Sequence, residues 1–410
     1  MKKLLLFIYF ISALNASILQ ETIDSAPSGA TLKLPAGIYK GNIIINKPIT
    51  LLGKEDGVII DGGGIGKVIT INSSNVTIEN LTITNSGTQM HQLDSAIFIN
   101  KSKNSQISNC KILNSLYGID MLMVEDSNIS NNFITSKNND IGLRGDALKI
   151  WHSHNNTISN NTIDRVRDVT MNYSNNNILE NNHILNSRFG LQIAHSKNNL
   201  IKENEFRYNS VSLMLMMTQN TKITNNSIQS SKGAAGIGVM LKGGHNILFE
   251  YNTLRYNAKA MYIDSKWTEM SMKRYIVNNE ISYNKEAIHF HLTIRNNTFT
   301  HNEFVGNIDD IVKSTAGFET KSNVVEYNYW DRYAGFDTNG DNIGDTSHKM
   351  YQYADRLWHY NNKVKFFYGS PVMTLLNFLA QVAPFIDPIL MLEDKKPIVN
   401  PTVSMDALKD

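Results

Sequence analysis

Asn131-Asn-Phe-Ile134, Asn160-Asn-Thr-Ile163 and Asn181-Asn-His-Ile184 repeat one phrase: an asparagine, two variable residues and a large apolar residue. Earlier copies are Asn80-Leu-Thr-Ile83 and Asn109-Cys-Lys-Ile112, later ones Asn225-Asn-Ser-Ile228 and Asn278-Asn-Glu-Ile281, and degenerate copies end at Phe206, Leu254 and Phe304. A period of about 22 to 29 residues marks a repeat architecture, in which each unit buries its apolar face only by stacking on the next. Within a unit the apolar residues alternate, as in Val76-Thr-Ile78 and Leu81-Thr-Ile83, so the units are built of short strands. The segments between them are too short for a crossover helix. That leaves an all-β chain wound as a right-handed parallel β-helix of roughly ten or more coils. The recurrent asparagine then has a task at a fixed corner: it tolerates left-handed backbone geometry, and amides stacked at about 4.8 Å hydrogen-bond up the column as a ladder.

The repeat runs from about Ile43 to Trp330 of the 410 residues, which predicts one solenoid with appendages rather than several domains. Formal charge is +2, from 39 basic and 37 acidic residues, and without Lys2 and Lys3 the two counts are equal. Nothing in that balance points to nucleic acid. Met1-Lys-Lys, the apolar run Leu4 to Leu14 and the small residues near Ala16 read as a secretory signal peptide over residues 1–16. About eleven apolar positions fall short of the roughly 20 that a membrane span needs. The single Cys110 can form no internal disulfide and sits inside a repeat, where it packs. Residues 17–42 form an N-terminal cap, because Ile18, Leu19, Ile23 and Ala26 have helical spacing and a short amphipathic helix would cover the unpaired groups of the first coil. Thr31-Leu-Lys-Leu34, Pro35 to Tyr39 and Gly41 to Ile45 resemble the opening of pectate-lyase-like β-helices. After the repeats come an Asp/Gly loop over 331–350 and a helical and aromatic tail over 351–410.

One strand of each repeat can be aligned: Gly118-Ile-Asp-Met-Leu122, Ala147-Leu-Lys-Ile-Trp151, Asp168-Val-Thr-Met-Asn172, Gly190-Leu-Gln-Ile-Ala194, Ser212-Leu-Met-Leu-Met216, Gly238-Val-Met-Leu-Lys242, Ala260-Met-Tyr-Ile-Asp264 and Ala287-Ile-His-Phe-His291. Second and fourth positions are apolar and face the core, so third and fifth positions face out. The outward columns hold Met214, Met216, Met240, His289, His291, Trp151 and Leu122. Such a face is either a protein-docking surface, with Trp151 as an anchor, or a surface for a soft metal. Met214, Met216 and Met240 fall on adjacent outward positions where thioethers could meet on Cu(I), or where they supply adaptable packing against a partner. His289 and His291 share a face and could form a metal-binding pair, while His152 and His154 read as corner residues of a ladder.

Secreted β-helices that cleave or epimerise polysaccharides need closely placed acids, or Arg or His beside calcium-binding carboxylates. Tyr117-Gly-Ile-Asp120 resembles the start of the alginate-epimerase signature, but Met121-Leu-Met123 lacks that signature's second Asp and its His. The outward columns carry two scattered Asp and no paired acids, which favours a non-catalytic β-helix over a carbohydrate-active one. Asp337-Thr-Asn339-Gly-Asp341-Asn-Ile-Gly-Asp345 places oxygen side chains at alternating positions, a spacing that suits structural Ca²⁺. The other reading is a solvated Asx-rich turn. Val372 to Leu392 is too interrupted by proline and Asp to span a bilayer, and Leu375, Leu376, Leu379 and Val382, with Phe378 alongside, form an apolar stripe of a short helix. The stripe either caps the open end of the solenoid or docks on a membrane partner.

Several segments together resemble the NosD family: Gly145-Asp-Ala-Leu-Lys-Ile-Trp151, Asn155-Asn-Thr-Ile158, Arg167-Asp-Val169, Tyr208-Asn-Ser through Met214, Asn328-Tyr-Trp-Asp331, and Gly369-Ser-Pro371 to Ala383-Pro-Phe385 ending Leu390-Met-Leu392. The resemblance implies a periplasmic, non-enzymatic accessory protein for assembling the copper-sulfide centre of nitrous oxide reductase. It implies as partners an ABC transporter, made of an ATPase and a membrane permease, and a copper chaperone lipoprotein. It supplies no metal-ligand set, so the Met and His candidates rest on the column alignment alone. The competing expectations are a carbohydrate-binding or carbohydrate-active β-helix and a purely structural surface protein.

Overall fold

The computed structural model describes residues 18–264, 272–314, 320–353, 361–367, 370–383 and 388–401. The expected signal peptide lies outside the described residues, as do Tyr368, Gly369, Pro384, Phe385 and Asp387 of the tail. The chain divides into two compact units, one up to Leu213 and one from Met214 onward. In each, the expectation of a parallel β-helix is met.

In the first unit every coil contributes three short strands, and each strand pairs in parallel with its counterpart one coil on. Gln106–Ser108, Lys111–Ser115 and Tyr117–Leu122 form one coil, stacked on Asn128–Ser130, Phe133–Ser136 and Leu148–Trp151. The register sets Ile107 on Ile129, Ile112 on Ile134 and Ile119 on Leu148, and all six are fully buried. The repeat phrase thus works by translation, since one apolar residue per strand always meets its own kind. Coils begin before the expected Ile43: Ala30–Leu34 and Gly37–Lys40 already pair with Ile49–Gly53 and Val58–Asp61. The asparagine phrase is absent from that first coil, and its strands fall on Thr31 to Leu34 and Pro35 to Tyr39, the segments that resemble a pectate-lyase-like opening.

The cap helix forms over residues 18–25 and buries Leu19 and Ile23. It covers a strand edge with a side chain that mimics a peptide group. The Gln20 amide donates to the Ile44 carbonyl at 3.0 Å and accepts from the Ile44 N–H at 2.9 Å. Lys47 Nζ donates to the carbonyls of Asp24 and Ala26 at 2.6 and 2.5 Å, placing a cation on the negative end of the helix.

The asparagine expectation needs one correction. The phrase-opening residues Asn80, Asn109, Asn131, Asn160 and Asn181 do take left-handed backbone geometry, with φ between 54° and 56°. The ladder itself, however, is built by the following residue. Asn132 Nδ2 donates to Asn161 Oδ1 at 3.0 Å, Asn161 to Asn182 at 3.0 Å and Asn182 to Asn204 at 2.9 Å, all buried. One residue makes the turn, and its neighbour, now aimed inward, satisfies the backbone carbonyls that the turn exposes to the core.

The second unit repeats this plan. Lys222–Thr224, Ser227–Gln229 and Ile237–Lys242 stack on Ile247–Glu250, Thr253–Arg255 and Lys259–Asp264, and the series runs on to Val324–Glu326 and Tyr329–Trp330. Its ladder climbs from Asn226 through Asn252, Asn279 and Asn302 to Asn328 in steps of 2.9 to 3.1 Å. It ends on the fully buried Asp394, whose Oδ2 accepts from Asn328 Nδ2 at 2.9 Å and from Trp330 Nε1 at 3.0 Å. Trp330 stacks on Phe304 with ring centroids 4.0 Å apart. The tail is not only helical and aromatic. Its apolar stretch forms a helix, Pro371–Val382, and then a strand, Ile389–Asp394, that pairs antiparallel with His348–Gln352.

Candidate functional site

The aligned columns are real. Core positions such as Ile119, Met121, Leu148, Ile150, Leu213, Leu215, Ile288 and Phe290 are fully buried. In the first unit the outward register runs Asp120, Lys149, Thr170, Gln192 and, beside it, Leu122, Trp151, Asn172, Ala194. Trp151 is half-buried, edge-on to His152 at 5.7 Å and Tyr173 at 5.3 Å, with Lys149 Nζ 5.4 Å from its ring centroid. His152, Tyr173 and His195 stack at 5.1 and 5.0 Å along an exposed corner, so His152 is the ladder residue expected of it. Tyr173 and His195 belong to the same stack, each, like His152, one residue beyond its strand.

The acids on this unit are less scattered than the columns suggest. Arg167 binds Asp146 at 2.7 Å and lies 3.3 Å from Asp168, which is also held by Arg188 and by the Phe189 N–H. Asp120 pairs with Lys149 at 3.4 Å. Burial pushes the carboxyls of Asp120 and Asp146 above the usual carboxylate range, against the pull of Lys149 and Arg167 respectively. Three buried acids and three bases balance one another, and each carboxylate is already committed to a cation. The arrangement is a charge-paired cluster on the face of the first unit. Gly118, shared with the epimerase-like phrase, has a packing reason: a Cβ there would lie 2.3 Å from the Ala147 carbonyl oxygen.

In the second unit Met214 and Met216 on Val211–Met216 and Met240 on Ile237–Lys242 are half-buried and stand on neighbouring strands of one sheet. Tyr262 follows Met240 in register and His289 follows Tyr262. The two histidines are not equivalent. His289 is buried with both ring nitrogens occupied, Nδ1 by Glu286 and Nε2 by Ser314 Oγ at 2.5 Å, and its ring stacks on Tyr262 at 5.1 Å. A lone pair already held in this way is poorly placed for a metal. His291 is half-buried, tilted against Tyr262 at 5.9 Å.

In the Asp/Gly loop the oxygens turn toward the loop's own backbone. Asp337 accepts from the N–H groups of Gly340 at 2.8 Å, Asp341 at 3.2 Å and Asn342 at 2.8 Å, Asp341 from Ile343 at 2.8 Å, and Asp345 from Thr338 at 3.0 Å. Asn339 bonds Asp341. Among the described residues no three or more His, Cys, Asp or Glu gather as they would around a metal ion. The loop is an Asx-rich turn that holds its shape with hydrogen bonds. Burial pushes the Cys110 thiol up to about 12, which suits the packing role expected of it.

The tail helix is amphipathic in an unusual sense. Ser370 caps it, its Oγ accepting from the Met373 N–H at 3.3 Å. The inward face buries Met373 and Ala380. The outward face is also apolar: Val372 is 60% exposed, Leu375 57%, Phe378 58%, Leu379 45% and Val382 68%. Of the expected stripe only Leu376 is half-buried, and Val372 joins it. Among the described residues no helix is long and apolar enough to cross a membrane.

A family model described as "Periplasmic copper-binding protein (NosD)" matches residues 130–335, half of the sequence. The chain belongs to the NosD family. A NosD relative from Stutzerimonas stutzeri, described as a probable ABC transporter binding protein, is 26% identical and the alignment covers 93% of this chain and 90% of that one. A second NosD protein, from Pseudomonas aeruginosa, is 35% identical over 21% of each chain. Among solved structures the A-modules of the mannuronan C-5 epimerases AlgE6 and AlgE4 from Azotobacter vinelandii are similar, with TM-scores of 0.60 and 0.53. Identity is 15% and 17%, and the matches cover 75% and 76% of this chain and 93% and 95% of those modules. That likeness concerns the fold alone, and NosD membership is what bears on function.

Proposed function

We propose that the chain is a non-enzymatic periplasmic accessory protein in assembly of the copper-sulfide centre of nitrous oxide reductase. It docks on the membrane permease of an ABC transporter through the outer face of Pro371–Val382, next to the cognate ATPase across the membrane, and handles copper brought by a chaperone lipoprotein. The observation that carries this reading is the bare apolar face of Val372, Leu375, Phe378, Leu379 and Val382 on a helix too short to span a bilayer. A contiguous exposed patch of that kind marks an interaction surface, read as helix anchors at i, i+3 and i+4 spacing. The transporter-binding description of the Stutzerimonas relative supports a transporter subunit as the occupant. Within each unit the coils contribute a scaffold in which each coil constrains the next.

The test is the triple variant Leu375→Ser, Phe378→Ser, Leu379→Ser. All three side chains are exposed, so thermal stability should change little. Co-purification with the permease and copper loading of the reductase should be lost. A folded variant that still co-purifies would remove the docking reading. The outward methionine column of Met214, Met216 and Met240 is the sequence-derived alternative for copper handling in the same role, while His289 has both ring nitrogens held.

A further inference from the structure

We propose that His348, Met350, Met373 and Met391 form a Cu(I) site in the cavity beneath the tail helix. The proposal rests on the copper-handling role above and gives it a location. The cavity measures about 600 Å³, and these four residues lie in its wall. They come from three separate elements: His348 and Met350 from the strand His348–Gln352, Met373 from the helix Pro371–Val382, and Met391 from the strand Ile389–Asp394. Met350 is 8% exposed, Met373 4% and Met391 5%.

Two readings compete for three buried methionines. Methionine fills irregular gaps between packed elements. Here the gap is not filled, because a cavity large enough for a ligand remains and the thioethers line it. Thioether sulfur with one imidazole nitrogen is a soft donor set that suits Cu(I) and has little use for a hard cation. The imidazole is available: among the described residues neither ring nitrogen of His348 has a hydrogen-bond partner, and its neighbours are the rings of Trp330 at 5.4 Å and Tyr333 at 5.8 Å, with Asp394 opposite it in the strand pair. His289 differs on just this point, with both nitrogens held. Arg332 and Asp310, also in the wall, oppose each other in charge. Met373 sits on the inner face of the helix whose outer face is bare, so the site lies about one helix diameter, roughly 10 Å, from the proposed docking surface.

The experiment is anaerobic titration of the full chain with Cu(I) against bathocuproine disulfonate, with copper K-edge absorption of the product. Wild type should take up Cu(I) with sulfur scatterers in the first shell and should not hold Cu(II) comparably. The triple variant Met350→Leu, Met373→Leu, Met391→Leu keeps side-chain volume, a kind of swap that usually leaves a core folded. It should bind Cu(I) at least about 100-fold more weakly and lose the sulfur signal. Met373→Leu and Met391→Leu alone should each weaken binding about tenfold, which keeps the test open if the triple variant does not fold. The control Met123→Leu, Met217→Leu, at two exposed corner methionines outside the cavity wall, should bind as wild type does. Wild type that takes no Cu(I), cavity variants that bind unchanged, or a control that loses binding would each overturn the site. Co-purification with the permease, measured on the same variants, separates the two readings: complexes that persist while copper binding fails to depend on the cavity leave the accessory role standing and remove only this site.

Discussion

Within the second unit, the stacked coils and the closing tail solve the same problem in opposite ways. The coils satisfy every inward asparagine by translation, with Asn279 donating to the Phe249 and Val277 carbonyls and to Asn302 while accepting from Asn252. The tail has no repeat to lean on. It closes the stack with one strand and one acid, and then presents a bare apolar helix face and a cavity lined by thioethers. The place where the repeat stops is where an apolar face and a cavity are presented to a partner or a ligand.

The contrast can be broken most forcefully in the coils. Asn279→Ala removes a ladder member and leaves buried amide and carbonyl groups on two coils without partners, so a loss of about 3 to 4 kcal/mol is expected in urea unfolding. A loss near that of a surface substitution would mean that the ladder is ornamental. Asp394→Ala tests the junction, since Asn328 Nδ2 and Trp330 Nε1 both donate to this carboxylate. About 2 to 3 kcal/mol should be lost, with a change in the near-ultraviolet tryptophan signal. If stability is unchanged, the tail does not cap the ladder. The smallest effect belongs to the Asp/Gly loop. Asp337→Ala deletes an acceptor of three backbone N–H groups on an exposed turn and should cost about 1 kcal/mol, equally in calcium and in chelator. A loss confined to calcium-containing buffer would restore the cation reading of that loop.

Much of this was legible from local pattern. The period-2 alternation named the core-facing residues from Ile119 to Phe290. Asp120, Thr170, Ala194 and His289, expected to face out, are buried as well, because ion pairs, stacked rings and neighbouring turns cover that face. Ile18 to Ala26 announced the cap helix through its spacing. The ladder was placed one residue early, because a phrase marks the residue that repeats most conspicuously, while the φ of that residue decides which neighbour points inward. The paired acids Asp146 and Asp168 were missed because Asp146 precedes its strand and Arg167 lies in the next turn, off both columns.

The sequence by itself determined that this chain is a parallel β-helix and which apolar residues line its core, since both follow from a short-range period imposed by strand and corner geometry. It also carried the family through segments spread along the repeats and tail. Only the tertiary structure decided that His289 has both ring nitrogens held, that Asp394 ends the ladder, and that Met350, Met373 and Met391 line one cavity. Those are facts about side chains separated by tens of residues that come together when a helix and an antiparallel strand pair close over the last coil, and no spacing in the sequence encodes that meeting.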